Sequence, residues 1–225
     1  MKARARTVAA VDFEFRGHKD RDAQSDLRFS RLVGADWREL PAPIRRRFSR
    51  RLADGERIVY LGEVAQTRLR LFGRVLGQLA RLIGAPLPLE AGGRVPVTVV
   101  VTECESIGGQ LWTRIYGRRN TFAQVIQSAK LFHGPTGCEE IVGGGIGMRL
   151  GVTVEHRALV FRSCGYFLRW GWWTMSLPAW LTPGQIEVVH REERAGQFSF
   201  KLTLTHPLAG RIVEQLAFFR DSSGA

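Results

Sequence analysis

Apolar residues in the first part of the chain recur every three or four positions, the spacing of one face of an α-helix. A first helix is predicted to end before Pro41, because proline disrupts a helix interior. Its apolar stripe consists of Phe29, Leu32, Val33, Trp37 and Leu40. A second, shorter helix is predicted before Gly55, with Ile44, Phe48 and Leu52 on its apolar face. The arginines of RRRFSRR, residues 45–51, then form a solvated face of this helix.

The widest apolar stripe belongs to the segment RLRLFGRVLGQLARLIGAPLP, which follows a strand-like stretch, RIVYLGEVA. This stripe predicts a helix over residues 68–83 whose arginines lie off the apolar face. Two uses fit such a helix, namely packing against a sheet and lying on a membrane surface. Packing against a sheet is favoured, because a curved sheet has a concave face that must be filled.

After Gly93 the period of the pattern falls to two, which is typical of strands. Three hairpins are predicted, around Gly108 and Gly109, around residues 155–157, and around Gly196. With about nine short strands and no helix between most neighbours, the pattern favours a highly curved antiparallel sheet or a partly open β-barrel. The predicted class is therefore α+β, with N-terminal helices packed on this sheet.

The domain organisation follows from the same pattern. Residues 1–26 are polar and weakly patterned, and they predict a flexible N-terminal tail. A single globular domain is expected over residues 27–222, with a helical part over 27–92 and the antiparallel sheet over 93–222.

Composition narrows the function classes. The 225 residues carry a formal net charge of +12, but arginine is spread along the whole chain, so nucleic-acid binding is not favoured. No apolar run reaches the length of a membrane-spanning helix, and the start of the chain does not form a signal peptide. The protein is therefore expected to be soluble, or to contact membranes only peripherally. The 3 cysteines fit neither a disulfide framework nor a metal clip, which favours a cytoplasmic location. The oligomeric state stays open.

No known cofactor or metal motif is present. The glycine-rich stretch GGGIGMRLG has Leu150 where a dinucleotide-binding motif needs its third glycine, and a strand-like pattern follows it. A tight turn or glycine bulge is therefore predicted there. We expect no cofactor and no metal site.

Several segments of the second half resemble, in order, a bacterial family of unknown function. These segments are GGGIGMRL, ALVFRSCGYFL, LPAWLTPG, VVHREERAGQFSFKLTLTHPLAG and QLAFF. The earlier LVGADWRELPAPIRRRF and VPVTVVVTECESIGGQLWTRIYG look like the same family's first helix and first hairpin, so the resemblance covers about residues 28–220. The family is domain of unknown function 4166, which also occurs at the C-terminus of saccharopine-dehydrogenase-like oxidoreductases. The resemblance implies no activity, and this chain lacks a nucleotide-binding half, so an accessory role would act in trans.

Two histidines are the best material for acid–base catalysis. His190 and Glu192 share a sheet face, so the carboxylate can orient a ring that titrates near neutrality. His206 lies before Pro207 and is expected to cap a strand end. Both stay weak catalytic candidates, because contact between them requires a bend in the sheet.

The aromatic residues give the candidate ligand-binding positions. Trp112, Arg114 and Tyr116 alternate along one strand and project from one face, where an arginine between two rings suits an anionic group. An outward face with Arg114 lying across exposed rings is the alternative. Tyr166, Trp173 and Trp180 complete the set, and they belong to the stretch YFLRWGWWTMSLPAWL.

That stretch contains four of the chain's 6 tryptophans. If residues 166–173 form one strand with a bulge at Gly171, two of the four tryptophans are expected in the core. Trp173 and Trp180 are then expected to contact a helix, a ligand or a partner.

The favoured function is a non-catalytic module that binds a small hydrophobic or amphipathic ligand in a sheet cup. The second hypothesis is an interaction module that docks on a saccharopine-dehydrogenase-like oxidoreductase. The third and weakest is an enzyme that uses His190 or His206.

Overall fold

The computed structural model describes residues 25–70, 94–118, 122–194 and 196–221. Two short α-helices come first, α1 (Arg28–Val33) and α2 (Ala42–Phe48), with a 3-10 helix over Gly34–Glu39 between them. The remaining elements are strands β1 (Arg57–Leu69), β2 (Val95–Cys104), β3 (Gly109–Tyr116), β4 (Gln124–Leu131), β5 (Glu139–Gly143), β6 (Ile146–Glu155), β7 (Ala158–Trp170), β8 (Trp173–Leu177), β9 (Gln185–Arg194), β10 (Gln197–His206) and β11 (Gly210–Arg220).

The strands form one antiparallel sheet that closes on itself. Its order is β6-β5-β4-β3-β2-β1-β11-β10-β9-β7-β8, and β7 also pairs with β6. On its other edge, strand β7 pairs with two strands along its length. Its residues Leu159–Arg162 pair with β9, and Tyr166–Trp170 pair with β8. The result is a closed barrel of ten strands with β8 as an extra strand outside the closure.

The predicted antiparallel curved sheet is therefore confirmed, but the expected α+β class is not. The described chain is mostly β, since α1 has 6 residues and α2 has 7. The first predicted helix breaks at Gly34, whose φ of 71° lies outside the helical region. Leu52 lies beyond α2, although it is buried as predicted.

The helix predicted over residues 68–83 is wrong at its start. Arg68 and Leu69 belong to β1, where they pair with Glu214 and Val213 of β11. Backbone pairing to a neighbouring strand outweighs the local helical spacing here. Residues 71–83 lie outside the described residues.

The described residues form eleven strands where the pattern predicted about nine. Strand β5 has only 5 residues, and its first two, Glu139 and Glu140, are both charged, so the strand lacks the apolar alternation by which strands are predicted. The predicted turn in the GGGIGMRLG stretch is confirmed, and the β5–β6 register shifts between Ile141 and Gly143.

The predicted strand over residues 166–173 is instead the hairpin β7–β8, with Trp170 paired to Trp173. Gly171 turns this hairpin at a φ of 58°, which glycine adopts readily.

Consecutive hairpins turn at alternate ends of the barrel. The end that we call the helical end contains the β2–β3, β4–β5, β6–β7 and β9–β10 connections. Helices α1 and α2 lie there, because Arg28 contacts Glu103 at the end of β2 and Arg47 contacts Asp221 just after β11. The opposite end, which we call the tryptophan end, contains the β3–β4, β5–β6, β7–β8 and β10–β11 connections and residues 178–184. The main hydrophobic core fills the barrel and joins α1 and α2 to its walls.

Candidate functional site

A partly open cavity lies at the helical end, between the helices and the barrel wall. About 30 Å³ inside it is open to the centres of water molecules, which suits roughly one or two waters. Its walls come from both helices and from strands on opposite sides of the barrel, and they comprise Phe29, Arg47, Phe48, Arg50, Leu52, Ile58, Tyr60, Val101, Gln110, Trp112, His190, Phe198 and Phe200.

Aromatic rings form the apolar part of this cavity. Phe48 of α2 meets Phe29 of α1 edge to face, with ring centroids 5.0 Å apart. Phe198 and Phe200 are alternate residues of β10, so both project from the inner face of the strand. Their centroids are 5.9 Å apart in a perpendicular arrangement, which is a favourable aromatic geometry. The helices thus cover a cavity that the strands alone would leave open.

His190 of β9 lies among these rings. Its ring centroid is 4.5 Å from that of Phe200 and 5.0 Å from that of Phe198. Burial, followed by the charge of Arg47, lowers the pKa of His190 from 6.5 to about 3, while the Ser199 backbone acts in the opposite direction. The ring is therefore neutral at physiological pH.

The neighbour of the imidazole sets its tautomer. The Nη1 atom of Arg47 lies 3.2 Å from Nε2 of His190. Arginine can only donate, so Nε2 accepts and the proton of the neutral ring is on Nδ1. This Nδ1–H is buried and makes no hydrogen bond of ordinary geometry among the described residues, although the Ser199 backbone is close enough to raise the pKa of the ring. His190 therefore lines the cavity with a donor that is at best weakly satisfied.

Arg47 is held by two carboxylates as well as by His190. Its guanidinium donates to Glu192 at 2.6 Å and to Asp221 at 2.6 and 2.8 Å. It also stacks over the ring of Phe198 at 4.0 Å. The arginines of RRRFSRR were predicted to form a solvated face, and for Arg47 this is wrong, since its side chain is only 7% exposed. The predicted shared face of His190 and Glu192 is confirmed, with Arg47 as their common partner.

Trp112 supplies a second donor to the same cavity. It lies on the inner face of β3, paired with Val101 of β2, and it is buried. Its Nε1–H has no hydrogen-bond partner in the described part of the chain. Gln110, two residues earlier on the same face, donates to Glu103 at 3.3 Å and so belongs to a separate contact.

A buried charged cluster lies beside Trp112, deeper in the barrel. Glu140 accepts from Lys130 at 2.7 Å and from Ser128 at 2.6 Å, and Arg114 lies 3.4 Å from it. Burial alone would raise the pKa of Glu140, but Lys130 and Arg114 outweigh it and lower the pKa to about 2. The Nζ atom of Lys130 is also 5.2 Å from the Trp112 ring centroid. The indole therefore lies between the cavity and this cluster.

Trp112, Arg114 and Tyr116 share one face of β3, as predicted. This face is an inner face of the barrel, so the alternative of an outward face is wrong. Trp112 and Tyr116 are buried, and the Arg114 guanidinium lies 5.9 Å from the Trp112 ring. Only Trp112 reaches the cavity, however. Arg114 is engaged by Glu140, and the Tyr116 hydroxyl donates to Gln215 at 3.3 Å.

Two other predicted residues have structural contacts. The Tyr166 hydroxyl donates to the carbonyl of Gly184 at 2.8 Å, which fixes the start of β9, and burial raises the pKa of Tyr166 to about 12. The Nδ1 atom of His206 accepts the backbone N–H groups of Leu208 and Ala209, each at 3.2 Å. His206 thus caps the end of β10 as expected. It is far from His190, which lies on the neighbouring strand β9.

Trp173 and Trp180 lie at the tryptophan end, away from the cavity. The expectation that two of the four clustered tryptophans belong to the core is wrong, because Trp170, Trp172, Trp173 and Trp180 are all 66–87% exposed. The reason is the hairpin at Gly171, which carries the indoles beyond the barrel wall.

The sequence pattern missed several cavity residues. Arg47 and Phe48 were interpreted only as parts of a surface helix, and Phe198 and Phe200 only as strand residues. The register of the β9–β10 hairpin could have indicated Phe200 as a neighbour of the histidine, because Phe200 pairs directly with His190. Among the described residues, no group of three or more potential ligands could hold a metal ion, and no helix is long and apolar enough to cross a membrane.

Comparison with protein families gives one match. The model of the family described as domain of unknown function (DUF4166) matches residues 40–219, which span β1 to β11 and α2. Neither the curated proteins nor the solved structures contain a match to this chain.

Proposed function

The chain belongs to the family of domain of unknown function 4166, and we propose that this member binds one small amphipathic molecule at the helical end of its barrel. A single observation carries the proposal: Trp112 and His190 line the same cavity, and the buried N–H donor of each makes no hydrogen bond of ordinary geometry among the described residues.

The energetic argument concerns these two donors. A buried donor without an acceptor costs about 1–3 kcal/mol, and buried polar groups in folded proteins are nearly always paired. Two such donors in one cavity are accounted for if an acceptor from outside the chain binds between them. A ligand oxygen, from a carbonyl, carboxyl or hydroxyl group, meets this requirement.

The remaining walls suit an apolar body attached to that oxygen. The inner space is sized for a polar end group, so the apolar body lies in the open part of the cavity, against Phe48, Phe198 and Phe200. Arg50 is exposed and lies at the cavity, so it is available to an anionic substituent. Arg47 is less available, because two carboxylates already neutralise it.

The same geometry favours binding over acid–base catalysis. A histidine with a pKa of about 3 does not exchange protons near neutrality, and its Nε2 atom faces an arginine. The enzyme hypothesis for His190 or His206 stays the weakest. The accessory role on a saccharopine-dehydrogenase-like oxidoreductase stays a second hypothesis that co-purification with such an enzyme tests.

Mass spectrometry tests the proposal directly. The protein, purified without denaturants, is measured under native and then under denaturing conditions. We expect an additional mass that is released on denaturation, and an organic extract that identifies it. A native mass equal to that of the bare chain, together with no binding of the amphipathic probe anilinonaphthalene sulfonate, would contradict the proposal.

A matched pair of variants locates the binding site. Trp112→Phe keeps an aromatic ring but removes the Nε1–H donor, so the probe or the extracted ligand is expected to bind about 3–10-fold more weakly, the value of one hydrogen bond. Trp37→Phe makes the same chemical change outside the cavity and is expected to leave the affinity unchanged. Equal effects of the two variants would place the binding site elsewhere.

A further inference from the structure

The exposed apolar side chains of this protein concentrate at the tryptophan end. Trp170, Trp172 and Trp173 lie at the tip of the β7–β8 hairpin, and the rings of Trp172 and Trp173 are 5.0 Å apart. Neighbouring connections add further large apolar residues that are mostly exposed, namely Phe122, Met175, Trp180, Leu181 and Leu208. Phe122 and Leu208 are 93% and 94% exposed, so they extend from their turns into solvent.

The charge of the connecting segments differs between the two ends. At the tryptophan end, the described connections are 70, 94, 117–118, 122–123, 144–145, 171–172, 178–184 and 207–209. They contain Arg70, Arg94 and Arg118 and no carboxylate. At the helical end, the described segments outside the strands contain arginines together with seven carboxylates, on Asp26, Asp36, Glu39, Asp54, Glu56, Glu105 and Asp221.

We propose that the tryptophan end is a docking surface for an anionic lipid bilayer. Tryptophan favours the boundary between lipid headgroups and acyl chains, because its ring is apolar and its N–H group needs a polar partner. Arginine attracts anionic headgroups, and a carboxylate on the same surface would be repelled. A bilayer accounts for both features at once: apolar residues at the tips of separate turns, and described connections that contain arginine but no acidic residue.

The shape of the surface favours a bilayer over a protein partner. Strand β8 pairs only with β7, and all but one of its residues are exposed. The hairpin therefore projects past the barrel wall. Projecting aromatic side chains insert into a fluid interface without a complementary pocket, and the formal net charge of +12 supports the approach to an anionic surface.

Vesicle sedimentation tests this proposal. The full chain is mixed with phosphatidylcholine vesicles that contain or lack phosphatidylserine. We expect sedimentation with the anionic vesicles and a blue shift of the tryptophan emission. The double variant Trp172→Ala with Trp173→Ala is expected to lose about tenfold or more in partitioning, because two large interfacial rings are gone.

Two control variants separate this surface from general stickiness. Leu61→Ala with Leu111→Ala removes two exposed apolar residues from the barrel wall and is expected to bind vesicles like the native chain. Arg70→Glu is expected to weaken the binding, whereas Arg157→Glu, at the helical end, is expected to weaken it less. Equal binding by the native chain and the double tryptophan variant would overturn the proposal.

Two other occupants of the surface give distinct results. If residues 71–93 of the same chain cover the indoles, acrylamide will quench the tryptophan emission of the free protein poorly. If a second copy covers them, the native chain will form an oligomer that the double tryptophan variant abolishes, without vesicle binding. Either result would overturn assignment of this surface to a bilayer.

Discussion

The two ends of the barrel use aromatic residues in opposite ways. At the helical end, Phe48 and Phe198 are buried and pack against the ring of a neutral histidine, and Phe29 is buried beside Phe48. At the tryptophan end, the indoles of the β7–β8 hairpin extend into solvent. Aromatic content alone therefore does not distinguish core from contact surface; the difference lies in whether another element of the chain covers the rings.

Charge follows the same division. Two cations of the helical end, Arg28 and Arg47, are largely buried, each against two carboxylates. At the tryptophan end, Arg70 and Arg94 are exposed, and the described connections contain no carboxylate. Buried ion pairs thus stabilise the fold at one end, whereas the exposed arginines of the other are the ones that the proposed lipid contact would use.

The largest expected effect is on stability at the helical end. Phe198→Ala removes a buried ring that contacts Tyr60, His190, Phe200 and Phe219. We expect a loss of about 3–5 kcal/mol in the free energy of unfolding, measured by urea denaturation. Trp172→Ala, which truncates a larger but exposed ring, is expected to change it by less than about 0.5 kcal/mol. Similar losses in the two variants would mean that the tryptophan hairpin is covered in solution.

The next effect concerns the buried charged cluster. Glu140→Gln leaves Lys130 and Arg114 without their counter-charge inside the barrel, so we expect a loss of about 3 kcal/mol. Glu155→Gln removes an exposed partner of Arg162 and is expected to cost at most about 1 kcal/mol. Thermal unfolding followed by circular dichroism compares the two. A small effect of Glu140→Gln would show that water reaches the cluster and solvates its cations.

Much of the fold could be predicted from the sequence. Alternation located most strands, because one face of each strand is buried, and it placed Trp112, Arg114 and Tyr116 on one shared face, which the structure shows to be an inner one. Closure of the barrel was not predictable, since it depends on β7 pairing with both β6 and β9. Local spacing also extended a helix into Arg68 and Leu69, where pairing to β11 decides the structure.

The candidate site was harder to predict than the fold. Arg47 and His190 are 143 positions apart in the sequence, and no local pattern indicates their contact. The ordinary pKa of histidine also suggests titration near neutrality. In the folded chain this expectation fails for His190, because burial and Arg47 lower the pKa of the ring. The outward position of the tryptophans depends on one glycine turn, at Gly171, where the sequence pattern predicts a bulge within one strand and the structure has a hairpin.

Acid should destabilise the helical end through His190. Its pKa is 6.5 when unfolded and about 3 when folded, so the unfolded chain binds the proton first. The stabilising contribution is fully present above pH 6.5 and is lost as the pH falls towards 3. We expect the native chain to lose about 2 kcal/mol between pH 6.5 and 5 from this group, and His190→Phe to lack that loss. Urea denaturation of both chains across this range measures it, and parallel pH profiles would contradict a buried neutral histidine.

The smallest expected effect is that of salt on folding, and it separates the two ends most cleanly. Raising ionic strength shortens the Debye length from about 10 Å at 0.1 M to about 3 Å at 1 M, which weakens exposed charge interactions far more than buried ones. The ion pairs of Arg47 and Glu140 are largely buried, so the melting temperature should change little. If the tryptophan end binds anionic lipid as proposed, sedimentation with phosphatidylserine vesicles should instead fall steeply over the same range, because Arg70 and Arg94 are exposed. If salt lowered the melting temperature but left vesicle binding intact, exposed ion pairs would stabilise the fold and the tryptophan end would bind lipid by apolar contact alone.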